Sequence, residues 1–483
     1  MSSSAYPSAP VDLAAGGVSL EDVVAIADGA RVRIAPGVLD AIAAAQAAAD
    51  AIATESPTYG RSTGVGANRQ TTVTETSDHG IRLMRSHATD AGDALPQRLV
   101  RALVATRLAQ LAQPGSGISP AILSALGTAL EHDEIAEIGA VGSIGTADLA
   151  ALAALGLTLA GERAGATPTP PLQWGVDSAL PFLSSSALTI GRAILASDEL
   201  RRLDRAGRIA FALAAVSLRS NPSPLSDAAA RAAASPQVRD VATEVRRLLD
   251  GASWTPTRIQ DPYGLRVYPI TQGALMTAHE RLDAQLLRLL NVAQENPVFD
   301  VSAREVMHHG AFFQAQLSHD LDATNLAIAQ SATNAHALLR LTNEPDFTGL
   351  RPFLAVGPAG ASGLMMLEYT AAAALAEIRN AASPASLGTI VLSRGTEEDA
   401  SFATQGAVQL ERAVASYRTI LACELLAVSR LLSQRDVDVP APLVAAAASV
   451  RALQSDQRDQ DLRGPLQAAS NLLGRLSESG IVQ

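Results

Sequence analysis

Apolar residues recur at spacings of three and four along most of this chain, the mark of helices that turn one face inward. The pattern is clear in "LVRALVATRLAQLAQ", within a helical stretch from 77 to 131 that "QPGSG" interrupts. Longer stretches at 187–217, 271–294, 314–343, 362–383 and 401–435 are separated by short Gly/Pro loops and predict a bundle of long helices. The first part of the chain is more mixed. "SLEDVVAIADGARVRIAP" holds two short elements, with "RVRI" alternating as a strand would, and "GVLDAIAAAQAAADAIAT" then reads as a helix. A loop rich in Gly, Ser, Thr and Asn follows, "PTYGRSTGVGANRQ" (57–70). The Gly-rich turn "GSIGTADLA" (142–150) leads into a helix running to about Ala160, and "GATPTPPLQWG" (165–175) is a Pro-rich connector. The pattern divides the chain into a flexible tail (1–17), a mixed N-terminal region (18–186) and a long-helix bundle (187–483), a mainly α fold.

Composition narrows the chemistry. Hydrophobic residues make up 48% and aromatics only 3%, so the core is built from Ala, Leu, Val and Ile, and Ala and Leu are strong helix formers. The net charge of −11 argues against a nucleic-acid or anionic-membrane surface, which needs a basic patch. The longest apolar run, 138–160, contains Asp148 and several glycines and reads as a buried core helix instead of a membrane span. The polar start "MSSSAYPSAP" lacks the basic and apolar regions of a secretion signal, so a cytoplasmic protein is expected. A single cysteine, Cys423, excludes a disulfide framework and reads as a buried small hydrophobe. Every basic residue other than histidine is Arg, which removes lysine Schiff-base chemistry. The pair His308-His309 is expected on a helix with its side chains diverging, so no metal site is expected there.

Several polar groups stand where helical packing does not need them. "MRSHATDAG" places Ser86 and His87 at the end of an apolar stretch. "RIQDPYGLRVYPI" gathers Gln260, Asp261, Tyr263 and Arg266 between helical segments. "SRGTEEDAS" puts Glu397, Glu398 and Asp399 in a loop ahead of a helix, and Tyr59 opens the glycine loop. Each has a plain structural reading: a satisfied histidine, an acidic N-terminal cap, a Tyr-Gly turn.

Taken together and in order, these segments resemble the histidine/phenylalanine ammonia-lyase family, whose members are aromatic amino acid lyases carrying a methylidene-imidazolone electrophile. "YGRSTGVG" resembles that family's Y-G-x-x-T-G-F-G loop, "LMRSHATDAGDALP" its R-S-H-A segment in the histidine-lyase form, and "QDPYGLR" its Q-D-x-Y-S-x-R. "NVAQENP", "GLRPFL", "SGLMMLEYTAAAALAE" and "PASLGTI" match further segments across roughly 18–480. The resemblance implies a fumarase/aspartase-like ammonia-lyase architecture, assembled as a homotetramer with shared active sites. It implies Tyr59 as catalytic base, His87 as a substrate-contacting histidine and Arg266 as the clamp for a substrate carboxylate. Tyr263 and Gln260 correspond to neighbours of the prosthetic group, Phe312 to the phenylalanine of G-N-F-H, and Glu397 to the glutamate associated with histidine lyases.

The departures centre on the turn. The family reads G-S-V-G-A-S-G-D-L; here Gly145-Thr146-Ala147-Asp148 is one residue short, and Ala147 takes the place of the serine whose hydroxyl is eliminated. The self-made electrophile is therefore not expected, and no other cofactor is. The supporting asparagine becomes Ser184, G-N-F-H becomes Gly310-Ala311-Phe312-Phe313, the Asn-Gln ahead of Glu397 becomes Gly395-Thr396, and a glutamine becomes Glu368. Base, clamp and acid remain while the groups around the electrophile change. One reading is acid–base elimination, isomerisation or cyclisation of a small carboxylate or amino-acid-like substrate without the electrophile. A second is a catalytically silent relative that binds a ligand or partner subunit. A third is an ammonia-lyase with an unorthodox or hidden electrophile.

Overall fold

The computed structural model describes residues 9–14, 16–480 and 482. The first eight residues of the expected tail therefore lie outside the described residues. Within 9–17, Val11–Leu13 is a strand, paired in parallel with Val32–Ile34 in the register Val11↔Val32. The alternation in "RVRI" is thus a strand, as expected. The next helix, Leu20–Ala27, opens with a capping box: Ser19 accepts from Asp22 N–H, and Asp22 reaches back to Ser19 N–H.

The long helices fall where the apolar spacing puts them, at Ala187–Ser217, Tyr268–Leu290, Ala315–Asn343, Met365–Ala381 and Ala403–Gln434. The fold is mainly helical. The stretch 77–131 is less uniform than its periodicity suggests: it separates into His79–His87, Gln97–Leu111 and Pro120–Ala129, with a short strand, Ala91–Ala94, in between. That strand pairs antiparallel with Gly139–Val141, just ahead of the Gly-rich turn. A third two-stranded pair joins Val298–Asp300 to Glu305–Met307.

Contacts divide the chain into two units in a way that the linear split at residue 186 does not match. The first holds the residues up to Ala196, Leu282–Leu321 and Pro384–Val408; the second holds Ser197–Arg281, Asp322–Ser383 and Gln409–Gln483. Four of the five boundaries fall inside long helices, and only the one between Ser383 and Pro384 lies in a loop.

In the first unit the helix Leu149–Leu159 is buried from Ala150 onward, as its unbroken apolar run requires. The helix Gln97–Leu111 buries polar side chains along with its apolar ones: Arg107 and Gln110 are both buried. Arg107 reaches Glu295 at 2.7 Å, Gln110 Oε1 at 3.1 Å, and the carbonyl oxygens of Phe182 at 3.0 Å and Pro181 at 2.5 Å. Each guanidinium nitrogen thus finds an acceptor, which is what makes a desolvated charge tolerable.

The second unit packs aliphatic helices around a polar seam. The Tyr417 hydroxyl meets Ser331 Oγ at 2.8 Å and Gln272 Nε2 at 3.1 Å, and Tyr268 stacks on Phe211 with ring centroids 3.7 Å apart. Cys423 is buried, as expected, and burial pushes its thiol up to about 12. Glu424 lies one residue on, and burial pushes its carboxyl up to about 8.

Replacing Arg107 by Met leaves Glu295 buried without its partner, and the expected loss of unfolding free energy is about 3–5 kcal/mol. Guanidinium denaturation at neutral pH measures it. A loss under about 1 kcal/mol would show that the pair is not the anchor its geometry suggests.

Candidate active site

The helix Pro36–Glu55 delivers the chain into the glycine loop, where Tyr59 is half-buried. Its hydroxyl accepts a hydrogen bond from Gly66 N–H at 2.7 Å, and its own N–H donates to His308 Nε2 at 3.2 Å. The loop needs its glycines. Gly60 has φ +72°, and a Cβ there would lie 2.1 Å from Leu180 Cδ2; Gly66 has φ +53°, and a Cβ would lie 2.7 Å from Ser393 Oγ. The loop is tied to the turn at 392–397 by Ala67 N–H donating to Ser393 Oγ (3.0 Å) and Arg69 Nη1 donating to Thr396 Oγ1 (2.7 Å).

That turn carries Glu397 into a cavity of about 850 Å³, which Tyr59, His87, Thr146, Ala147, Ser184, Phe312 and Glu397 all line. His87 ends the helix His79–His87, and its Nδ1 lies 2.9 Å from Leu83 O. A carbonyl only accepts, so Nδ1 donates to it and Nε2 is the ring nitrogen without a bond to Leu83. Ser184 is buried and accepts from Asn296 N–H at 3.1 Å. Burial raises the Tyr59 pKa above its ordinary 10; the Gly66 hydrogen bond opposes this, the charge of Glu397 adds to it, and the charge of Arg69 counters it.

Asn296, His308, Ser393 and Arg69 also line the cavity, and none was singled out for it from sequence. His308 is not on a helix: it follows the strand Glu305–Met307 in a loop. Asn296 lies in a quoted motif, "NVAQENP", which was the available signal. Gln260, Tyr263 and Arg266 belong to the second unit and are not among the cavity's lining residues. Tyr263 is 65% exposed, and the Arg266 guanidinium sits 4.6 Å from its ring centroid. Gln260 is exposed, and Glu368 accepts from Asn343 Nδ2 at 3.1 Å.

Residues 18–454 match the aromatic amino acid lyase family. The chain belongs to that family. Histidine ammonia-lyase of Streptomyces griseus is 30% identical to it over 469 residues, covering 91% of this chain and 90% of the relative. Tyrosine aminomutase from Streptomyces globisporus has the same fold, with a TM-score of 0.90 at 23% identity over 98% of each chain. So does ergothionase from Treponema denticola, an ergothioneine-degrading enzyme, with a TM-score of 0.89 at 20% identity, covering 97% of this chain and 99% of that one.

The aromatic amino acid lyase turn in this chain does not fit the methylidene-imidazolone that the resemblance implies. Ala147 presents a methyl group and no hydroxyl to eliminate. Asp148, where a glycine amide is needed, donates its N–H to Ser185 O at 2.8 Å. Its carboxylate is fully buried and accepts from Thr189 N–H at 2.8 Å and Thr189 Oγ1 at 3.0 Å. Gly145, at φ +94°, has Ala403 N within 2.4 Å of where a Cβ would be, so the turn is tightly seated.

An ultraviolet difference titration against Tyr59→Phe isolates this phenol. It is expected to ionise above 10, to move down in Glu397→Gln and up in Arg69→Gln. Ionisation below 10 in the unmutated protein would contradict the burial of Tyr59.

Proposed function

We propose that this lyase-family protein is an enzyme that removes a leaving group from a small carboxylate substrate by acid–base elimination, with Tyr59 as base and no methylidene-imidazolone. The observation that carries the reading is the makeup of the cavity: Tyr59, His87 and Glu397 line it together, beside an Ala147 that offers no electrophile. The Gly66 N–H on the phenol oxygen favours the phenolate, as a base requires.

A positioned general base contributes about 10²–10⁴ in rate, far short of what expelling ammonia beside an unactivated β-proton demands. The substrate therefore brings its own activation, as an acidified C–H bond and a leaving group better than ammonia. Where the leaving group needs a proton, as a hydroxyl does, Glu397 or His87 supplies it. Family members act on amino-acid-like substrates, and a carboxylate is the feature such substrates share. In this reading the chain forms a homotetramer in which Arg266, with Tyr263 and Gln260, acts from a second subunit. The Arg266 fork then grips the carboxylate in two parallel hydrogen bonds.

Small carboxylates bearing water, halide or quaternary ammonium next to the acidic carbon form the test panel, with alkene absorbance as the readout. Turnover is expected to climb with pH through the neutral range, because the phenolate fraction rises about tenfold per unit below the raised pKa of Tyr59. Tyr59→Phe is expected to lose about 10²-fold or more. Activity that is flat with pH and unchanged in Tyr59→Phe would remove Tyr59 from the mechanism.

A further inference from the structure

Elimination as proposed above leaves one edge of a charged side chain in the cavity unused. Arg69 lines the cavity, and its guanidinium is anchored at one end only: Nη1 donates to Thr396 Oγ1 at 2.7 Å and to Gly66 O at 3.4 Å. The opposite edge, Nε with Nη2, has no partner among the described residues, and no carboxylate lies within ion-pair distance. In this same protein that edge grips carboxylates in two parallel bonds, Arg33 on Asp12 at 2.6 and 2.7 Å and Arg85 on Glu162 at 2.8 and 2.6 Å. An open edge of this kind is a receptor for a planar anion.

Its position relative to the base gives the anion a role. Gly66 serves both groups: its N–H holds the Tyr59 hydroxyl and its carbonyl accepts from Arg69. Base and cation are thus set on one turn, with the exposed guanidinium of Arg69 and the Tyr59 hydroxyl both bonded to Gly66. We propose that Arg69 binds a carboxylate carried by the substrate carbon that loses its proton, which makes the substrate a dicarboxylate with its leaving group on the adjacent carbon. The inference rests on the elimination reading and supplies the activation that reading requires.

The chemistry balances. The Tyr59 phenolate takes the proton, and the C–H electron pair moves into the bond to the carboxylate carbon, giving an enediolate whose two oxygens lie on Arg69. A fixed cation beside developing charge is the arrangement that lowers such a barrier. The pair then returns to form the carbon–carbon double bond as the leaving group departs with its own bonding pair, a hydroxyl taking a proton from Glu397 or His87 to leave as water. The products are an unsaturated dicarboxylate and the released leaving group.

Calorimetric titration of the full-length protein with succinate and with butanoate tests the proposal without requiring turnover. Succinate is expected to bind about tenfold or more tightly than butanoate. Arg69→Gln is expected to remove that advantage, so that succinate binds no more tightly than butanoate. Arg69→Lys, which keeps the charge without the fork, is expected to fall between. Equal binding of the two acids, or an equal loss of both in Arg69→Gln, overturns the proposal. Tyr59-dependent turnover is measured separately, so failure of the elimination reading would be recognised on its own.

Discussion

One buried ion pair sets the position of the candidate site. Arg107 and Glu295 have almost no contact with solvent, and their attraction is strong because both have left it. Arg107 fixes the carbonyls of Pro181 and Phe182, three and two residues ahead of Ser184. Glu295 fixes its neighbour Asn296, whose N–H reaches Ser184 and whose side chain accepts from His309 N–H at 2.9 Å. His308, next in line, accepts from Tyr59 N–H. A single desolvated charge pair thereby links the cavity wall to the backbone of the proposed base.

On that frame the cavity gathers Tyr59, His87 and Glu397 beside Ala147, whose side chain has no hydroxyl. Tyr59 lies in the fields of two opposite charges, with Arg69 favouring its phenolate and Glu397 opposing it. The turn at 143–148 has polar groups tied into the surrounding fold. Its Asp148 is spent on Thr189, and Ser143 Oγ is spent on Thr404 Oγ1 at 2.9 Å. A site of this kind shifts the burden of activation from the protein to the substrate, and an arginine beside the base is the group that lets a substrate carry it.

Much of this was legible in the chain. The helices at Ala187–Ser217 and Ala315–Asn343 follow directly from apolar spacing sustained over many turns. The paired strands were not, apart from "RVRI", because three or four residues give too few alternating positions to register. The inward turn of Arg107 was hidden for another reason. A polar residue on a helix reads as solvated, and only the carbonyls of Pro181 and Phe182, distant in sequence, make its burial acceptable. Tyr59, His87 and Glu397 were found through motifs and do share one cavity. Arg69 was missed because nothing local distinguishes an arginine in a polar loop from a solvated one.

The account turns on a reaction run without a self-made electrophile, and the intact mass of the purified protein tests that most directly. The account predicts the mass of the unmodified chain, apart from any loss of the initiator methionine. A mass lighter by two waters would mean that the backbone at 146–148 has cyclised and dehydrated, and would contradict it.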